Sequence, residues 1–300
     1  MKIVKLKAGL GNQMFQYAFC KLLETQFGVE DVLVDISYFD HKNYRKYLDS
    51  GLKKLSLTYN TASRDDLKRI RVPYNNFQPH HFLHRFVAGL QAIFNRHYYF
   101  EKNREYVDVQ TILNYSYFDG YWQSWRYLEP IKDILLKDFQ PKEALSRLTK
   151  DSIERYRQLN SVFIGVRRGD YAKSTKAQKM WGTPSAEYYE KALEIIKKEV
   201  EDPYFIIFSD DVDWVKQNLG FEKMVADNGR IEYRDKEKIF NNFEEMFVMS
   251  SCKHAVISNS TFNFWGAWMI DNPTKIVIAP KQWFKNGQKI DIIPPTWIQI

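Results

Sequence analysis

The sequence predicts an α/β protein of two domains, one over residues 1–150 and one over residues 151–300, and three observations carry this. Its 300 residues exceed the roughly 100 to 200 of a single domain. Its first 35 positions run apolar segment, glycine turn, helical pattern, apolar segment, the β-loop-α-β opening of an α/β domain. From residue 160 onward short apolar strands alternate with helical patterns, which calls for a parallel sheet covered on both faces.

Taken in order, Ile3 to Leu6 reads as a strand and "AGLGNQ" as a glycine turn. "NQMFQYAFCKLLETQFG" reads as a helix with Phe15, Phe19 and Leu22 on one face and Gly28 closing it. "VLVD" is the next strand. Residues 40 to 150 mix basic and aromatic helical stretches and are assigned only to completing the first domain. Pro141 and a rise in charge around "FQPKEALSRLTKDS" mark the expected hinge.

The second half is clearer. A strand spans Val162 to Val166, and a helix from Ser185 carries Tyr189, Leu193, Ile196 and Val200 on one stripe. Strand Tyr204 to Phe208, helix Trp214 to Leu219 and a short strand Met224 to Ala226 follow. Helix Phe243 to Ser251, strand Ala255 to Ser258, helix Thr261 to Ile270 and strand Lys275 to Ala279 end the series.

Composition narrows the function. The 19 tyrosines, 21 phenylalanines and eight tryptophans offer rings that can stack on flat or ring-shaped ligands, while ordinary core and surface aromatics account for most of them. A formal charge of +7 favours anionic partners without choosing among nucleotide phosphates, nucleic acid and membrane. Cys20 and Cys252 are the only cysteines, each in an apolar helical pattern, so a reducing compartment fits better than a disulfide framework. No signal peptide or membrane span is read. The His80, His81 and His84 cluster lacks the cysteines or the His-Glu-x-x-His pattern of a zinc site. Neither a nucleophile elbow nor a P-loop occurs, and no nucleic-acid-binding motif accompanies the charge.

Four clusters carry chemistry, three of them at carboxyl ends of the second-half strands, where open parallel sheets bind ligands. Arg167 and Arg168, followed by Gly169 and Asp170, end the first of these strands. Two planar guanidinium forks there fit a diphosphate, against the plainer reading of a structural Arg-Asp pair. In "SNSTFNFWGAW", Ser258, Asn259, Ser260 and Thr261 precede a helix, either as an anion site or as plain N-capping. In "FSDDVDW", Asp210, Asp211 and Asp213 follow a strand. They read either as a metal-chelating Asp-x-Asp or as an acidic loop that caps the next helix and meets a base or ribose. The fourth cluster is "AGLGNQMFQYAF" in the first domain, where Gly9 and Gly11 permit a tight turn and Asn12 and Gln13 offer amide donors. Met14 stands where a dinucleotide fingerprint needs its third glycine, which argues against a dehydrogenase.

These clusters, in this order, resemble the α-1,2-fucosyltransferases of glycosyltransferase family 11, and the resemblance runs nearly end to end. "GLGNQMFQYAF" is similar to the family's N-terminal signature, and "FDGYWQSWRYL" to its mid-chain segment. "VRRGDY" is similar to the His-x-Arg-Arg-x-Asp motif shared among fucosyltransferases, with "FSDD", "SNSTFNFWGAW" and "APKQWF" completing the series. Gly165 stands where that motif has histidine, so the imidazole's contacts are not carried over.

The resemblance implies a GT-B fold of two Rossmann-like domains facing a cleft. The donor, GDP-fucose, would sit in the second domain and a β-galactoside glycan acceptor mainly against the first. It implies inverting, metal-independent transfer to a galactose 2-hydroxyl, with no cofactor and no bound metal. Arg167, Arg168 and Asp170 are the expected catalytic residues, though Asp170 serves equally well to orient the arginines, leaving the base unassigned. Gly11, Asn12, Gln13, Asp210, Asp211, Asn259, Ser260, Thr261 and Phe262 are expected at the donor, and Tyr121, Trp122 and Gln123 toward the acceptor. A bacterial cytoplasmic enzyme is expected, its basic surface able to rest peripherally on an anionic inner leaflet. No nucleic-acid partner is expected, and oligomeric state is not read.

Overall fold

The computed structural model describes residues 1–40, 42–49, 51–72, 90, 95–168, 182–226, 229–234 and 242–300. The chain divides into two compact units, Met1–Glu143 with Ile290–Pro294, and Ala144–Lys289 with Pro295–Ile300. Each is the parallel α/β sheet of which a GT-B fold is made.

In the first unit, strands β1 (Lys2–Lys5), β2 (Val32–Asp35), β3 (Asn60–Thr61), β4 (Tyr98–Phe100) and β5 (Tyr117–Asp119) pair in the order β3-β2-β1-β5-β4. All four pairings are parallel. The helix Leu10–Gln26 follows β1 and buries Phe15, Phe19 and Leu22, the face its apolar spacing indicated. Gly28, at φ 63, supplies the left-handed residue just past its end. At its start the left-handed residue is Ala8, at φ 66, while Gly9 is extended at φ −80. The turn therefore does not depend on glycine at position 9.

In the second unit, β6 (Ser161–Val166), β7 (Tyr204–Ser209), β8 (Arg230–Tyr233), β9 (His254–Val256), β10 (Val277–Ala279) and β11 (Ile298–Gln299) pair in the order β11-β10-β9-β6-β7-β8. All are parallel. The order reverses between β6 and β9, the topological switch point at which such sheets bind ligands beyond their carboxyl ends. Alternation along β6 serves two faces. Val162, Ile164 and Val166 join Tyr189, Leu193 and Ile196 of the helix Ala186–Glu199 in one core, while Phe163 and Gly165 meet the helix Thr261–Trp268 on the other face.

One expected strand is absent. Met224 and Val225 close the short helix Phe221–Val225, and the strand forms instead at Arg230–Tyr233. Gly220, at φ 64, starts that helical turn, and Phe221 and Val225 bury together at i, i+4 spacing. Among the described residues no helix is long and apolar enough to cross a membrane.

Candidate functional site

Register explains how the second unit assembles its charged edge. Val166 of β6 is aligned with Ser209 of β7, so the residues that leave the two strands continue as facing pairs. Arg167 Nη1 is 3.0 Å from Asp210 Oδ2, and Arg168 Nη1 pairs with Asp211 Oδ2. The Arg168 N–H donates to Asp210 Oδ1 at 2.8 Å. The Arg168 guanidinium also lies 4.5 Å from the ring centre of Trp214, within cation-π range. Each fork is thus braced by a carboxylate while its side chain stays about a third exposed (35% and 29%). Paired guanidiniums held this way lose little further rotamer freedom when they meet an anion.

Asp211 also caps the helix Val212–Asn218, its Oδ1 accepting from Trp214 N at 3.3 Å. Of the two readings left open for the acidic loop, the capping part is what this carboxylate does, together with holding Arg168. Among the described residues no group of three or more His, Cys, Asp or Glu could hold a metal ion.

On the other side of β6, β9 runs into Ser258, Asn259 and Ser260, all buried, and then into the helix Thr261–Trp268, where Thr261 and Phe262 are half-buried. Ser260 is the N-cap residue, yet its side chain makes no capping hydrogen bond. Its hydroxyl is not spent as plain capping would require. Asn259, expected at the donor, directs its NH2 to backbone, donating to Trp283 O at 3.0 Å and Gly182 O at 3.2 Å. Tyr189, which the sequence places on the apolar stripe, and its neighbour Tyr188 also finish strand ends. Tyr188 OH donates to Ile257 O at 2.6 Å and Tyr189 OH to Gly165 O at 3.2 Å. Asp170 and Gly169 of the arginine motif, and His80, His81 and His84, lie outside the described residues.

The first unit gathers a second polar cluster at its own switch point, between β1 and β5. Lys7, just past β1, is buried and pairs with the fully buried Asp119. Burial opposes the Lys7 charge, but Asp119, Tyr121 and Glu101 more than offset it, so the ammonium holds its proton more tightly than an ordinary lysine. Asp119 also accepts from Tyr98 OH at 2.6 Å. Lys7 Nζ stands 4.5 Å and Arg104 Cζ 4.1 Å from the ring centre of Tyr121. A relay then links three side chains: Arg104 Nη1 donates to Gln123 Oε1 at 2.8 Å, and Gln123 Nε2 donates to Asn12 Oδ1 at 2.6 Å.

Glu101 anchors this turn. Its carboxylate accepts from Tyr121 N at 2.5 Å and Trp122 N at 3.2 Å, holding Trp122 at φ 56, a conformation costly for a bulky residue. Burial pushes the Glu101 carboxyl up, against the lowering pull of the Tyr121 N–H and of Arg104 and Lys7. The sequence-expected Asn12, Tyr121 and Gln123 therefore come together here, while Trp122 is buried beneath them, stacked 3.9 Å from Phe19. Gly11 is buried inside the helix. Gln13, expected to face the donor, turns inward instead, donating to Ala8 O at 2.8 Å and Tyr47 O at 3.0 Å. Lys7, Glu101, Arg104 and Asp119 were missed, because nothing local distinguishes a charged residue that will be buried from one that will be solvated.

Comparison with known proteins identifies the family. O-antigen biosynthesis glycosyltransferase WbnK of Escherichia coli is 30% identical, with 98% of this chain and 99% of that protein covered. An alpha-1,2-colitosyltransferase of Escherichia coli is 27% identical over 99% of this chain and 98% of its own. Galactoside 2-alpha-L-fucosyltransferase Sec1 of Mus musculus is 28% identical over 54% of this chain and 44% of its own. Among solved structures, Escherichia coli ADP-heptose lps heptosyltransferase II matches at 11% identity and a TM-score of 0.40, covering 100% of this chain and 90% of its own. POFUT1 in complex with GDP matches at 11% and 0.44, covering 93% and 97%. The glycosyl transferase family 11 model matches residues 1–300, so its reach takes in both sheets and both polar edges, and the chain belongs to glycosyl transferase family 11.

Proposed function

We propose that this family 11 glycosyltransferase transfers L-fucose from GDP-fucose to the 2-hydroxyl of a terminal galactose, with inversion and without a metal. The observation that carries the reading is the Arg167–Arg168 pair, braced by Asp210 and Asp211 at the carboxyl edge where the second sheet reverses its order.

Cleaving the sugar–phosphate bond builds negative charge on the departing diphosphate, and fixed cations must meet it. The two guanidiniums do so from a strand end, so little reorganisation is needed at the moment of reaction. Helix Thr261–Trp268 adds its N-terminal amides, with Ser260, Thr261 and Phe262 at its start. Metal independence is supported by the state of Asp211, whose carboxylate is committed to Arg168 and to capping. A divalent ion would have to displace both partners. In the first unit, Tyr121 and Gln123 form the acceptor's polar and aromatic face, set in place by Glu101, Lys7 and Arg104, and Asn12, which accepts from Gln123, keeps its expected donor role. The acceptor hydroxyl attacks the anomeric carbon from the face opposite the diphosphate, the sugar–phosphate bond breaks with its electron pair leaving on GDP, and the hydroxyl proton passes to a departing phosphate oxygen.

A second reading concerns the sugar alone. One relative similar over nearly the whole chain is named a colitosyltransferase, so GDP-colitose is the competing donor. The test is a GDP-release assay with lactose and related β-galactosides, offering each donor in turn with and without excess EDTA. Turnover of GDP-fucose that survives EDTA supports the proposal. Activity abolished by EDTA and restored by manganese refutes its metal independence, and preference for GDP-colitose refutes the fucose assignment.

A further inference from the structure

Gly165 is the position at which the arginine-bearing strand lacks the histidine of the fucosyltransferase motif. Another element fills the gap. A β-carbon at 165 would overlap Asn263 Nδ2 and stand 3.3 Å from Asn263 Cβ, so the amide packs directly on the bare strand. Asn263 belongs to the helix Thr261–Trp268, and Gly266, three residues on, allows the close approach. A β-carbon at 266 would meet Phe163 Cζ at 3.5 Å and Met249 Cβ at 2.9 Å. Sheet and helix are therefore close enough for a side chain from the helix to occupy space that normally belongs to the strand.

Asn263 is only 5% exposed. Its Oδ1 accepts from Ser258 Oγ at 3.5 Å, the limit of hydrogen bonding, and among the described residues its NH2 has no partner. This NH2 is therefore available to an acceptor that arrives with a ligand. The surroundings specify an anion. Arg167 lies just past the end of the strand that carries Gly165, and Ser260 and the first amides of the helix immediately precede Asn263.

We infer that Asn263 is a donor-binding residue whose NH2 donates to a phosphate oxygen of the nucleoside diphosphate, from the space that a side chain at 165 would fill. The inference rests on reading this edge as the donor site. It makes Gly165 and Asn263 one unit, in which neither tolerates change without the other.

The test is calorimetric titration of GDP into the full chain, with a thermal melt of each variant. Asn263→Ala is expected to weaken GDP binding by about tenfold or more, the effect of losing a hydrogen bond to a charged group. Asn263→Asp keeps the shape, places a carboxylate oxygen against the phosphate and weakens binding further. Gly165→His alone collides with Asn263 and lowers the melting temperature. The pair Gly165→His with Asn263→Ala relieves that collision and regains melting temperature, while GDP affinity stays as low as in Asn263→Ala. Wild-type GDP affinity in both Asn263 variants, with affinity lost in Arg168→Ala, overturns this inference alone. Wild-type affinity in Arg168→Ala as well overturns the donor-site reading with it.

Discussion

Replacing Arg168 with alanine separates a catalytic guanidinium from a structural one, because the two roles predict effects of different size. In the folded protein Arg168 pairs with Asp211, and both side chains are about a third exposed (29% and 32%). Such a pair stabilises by about 0.2 to 1 kcal/mol. The stacking on Trp214 at 4.5 Å adds about 0.5 to 1 kcal/mol. The structural loss is therefore about 1 to 2 kcal/mol, which at about 2 to 4 °C per kcal/mol for a domain of this size lowers the melting temperature by only about 2 to 8 °C. The loss of transition-state stabilisation is larger. Removing a fixed donor from a developing oxyanion costs about 3 to 4 kcal/mol, or roughly 100- to 1000-fold in kcat. Lysine at 168 should recover less than about tenfold of this, since a point charge does not reproduce the fork that engages Asp211 and phosphate together. The assay is GDP release at saturating GDP-fucose and acceptor, at a temperature where the melt shows every variant folded. An Arg168→Ala enzyme that keeps kcat within about threefold of wild type, well short of the loss expected for an oxyanion donor, would refute the reasoning and leave Arg168 a brace for the Val212–Asn218 helix.

Three further outcomes follow from contacts elsewhere. Glu101→Ala leaves Tyr121 N and Trp122 N without their acceptor, at about 1 to 3 kcal/mol for each buried group; the melting temperature should fall and the acceptor KM rise with the donor KM unchanged, whereas equal rises in both would contradict a role confined to the acceptor side. Gln13→Ala should lower the melting temperature without changing GDP affinity, because its amide serves Ala8 O and Tyr47 O; a loss of GDP affinity would restore the donor-facing role its sequence position suggested. His254 accepts the Ile276 N–H through Nδ1 at 3.0 Å, and burial, then the neighbouring Lys253, hold its pKa below the ordinary value. The folded state thus keeps this imidazole neutral, so its contribution is present above the usual histidine value of about 6.5 and is lost as pH falls below it. Melting temperatures from pH 7.5 down to 5 should decline less steeply in His254→Asn, whose Oδ1 still accepts but does not titrate; identical slopes would show that His254 is not the titrating group.

Local pattern was enough for elements that are long or fully buried. The Leu10–Gln26 and Ala186–Glu199 helices and the β6 and β7 strands announce themselves through periodicity, because each buries a continuous stripe or a whole apolar run. The region from 40 to 150 resisted for a physical reason. Its described part is cut into short pieces such as the 3₁₀ turns Val109–Ile112, Trp125–Tyr127 and Glu129–Ile131 and the three-residue strands β4 and β5, too brief for either period to repeat. The apolar stretch at Met224 and Val225 suited a strand as well as a helical turn, and only the left-handed Gly220 before it decided the matter. Two-residue β3 and β11 carry no pattern at all.

The sites divide along a different line, between what a segment contains and what it faces. Arg167, Arg168, Asp210 and Asp211 were each recognisable as strand-end residues. That Arg167 faces Asp210 and Arg168 faces Asp211 follows from the alignment of Val166 with Ser209, a long-range property that neither segment encodes alone. Lys7 and Asp119 show the same dependence in the first unit, since two buried charges make sense only as a pair. Gly165 is the sharpest case. Taken by itself it departs from a motif, yet once the Thr261–Trp268 helix lies over β6, the missing side chain becomes the condition for Asn263 to reach the strand end. Substitutions at 165 and 263 must therefore be coupled, and a relative with a side chain at the first position should carry a residue smaller than asparagine at the second.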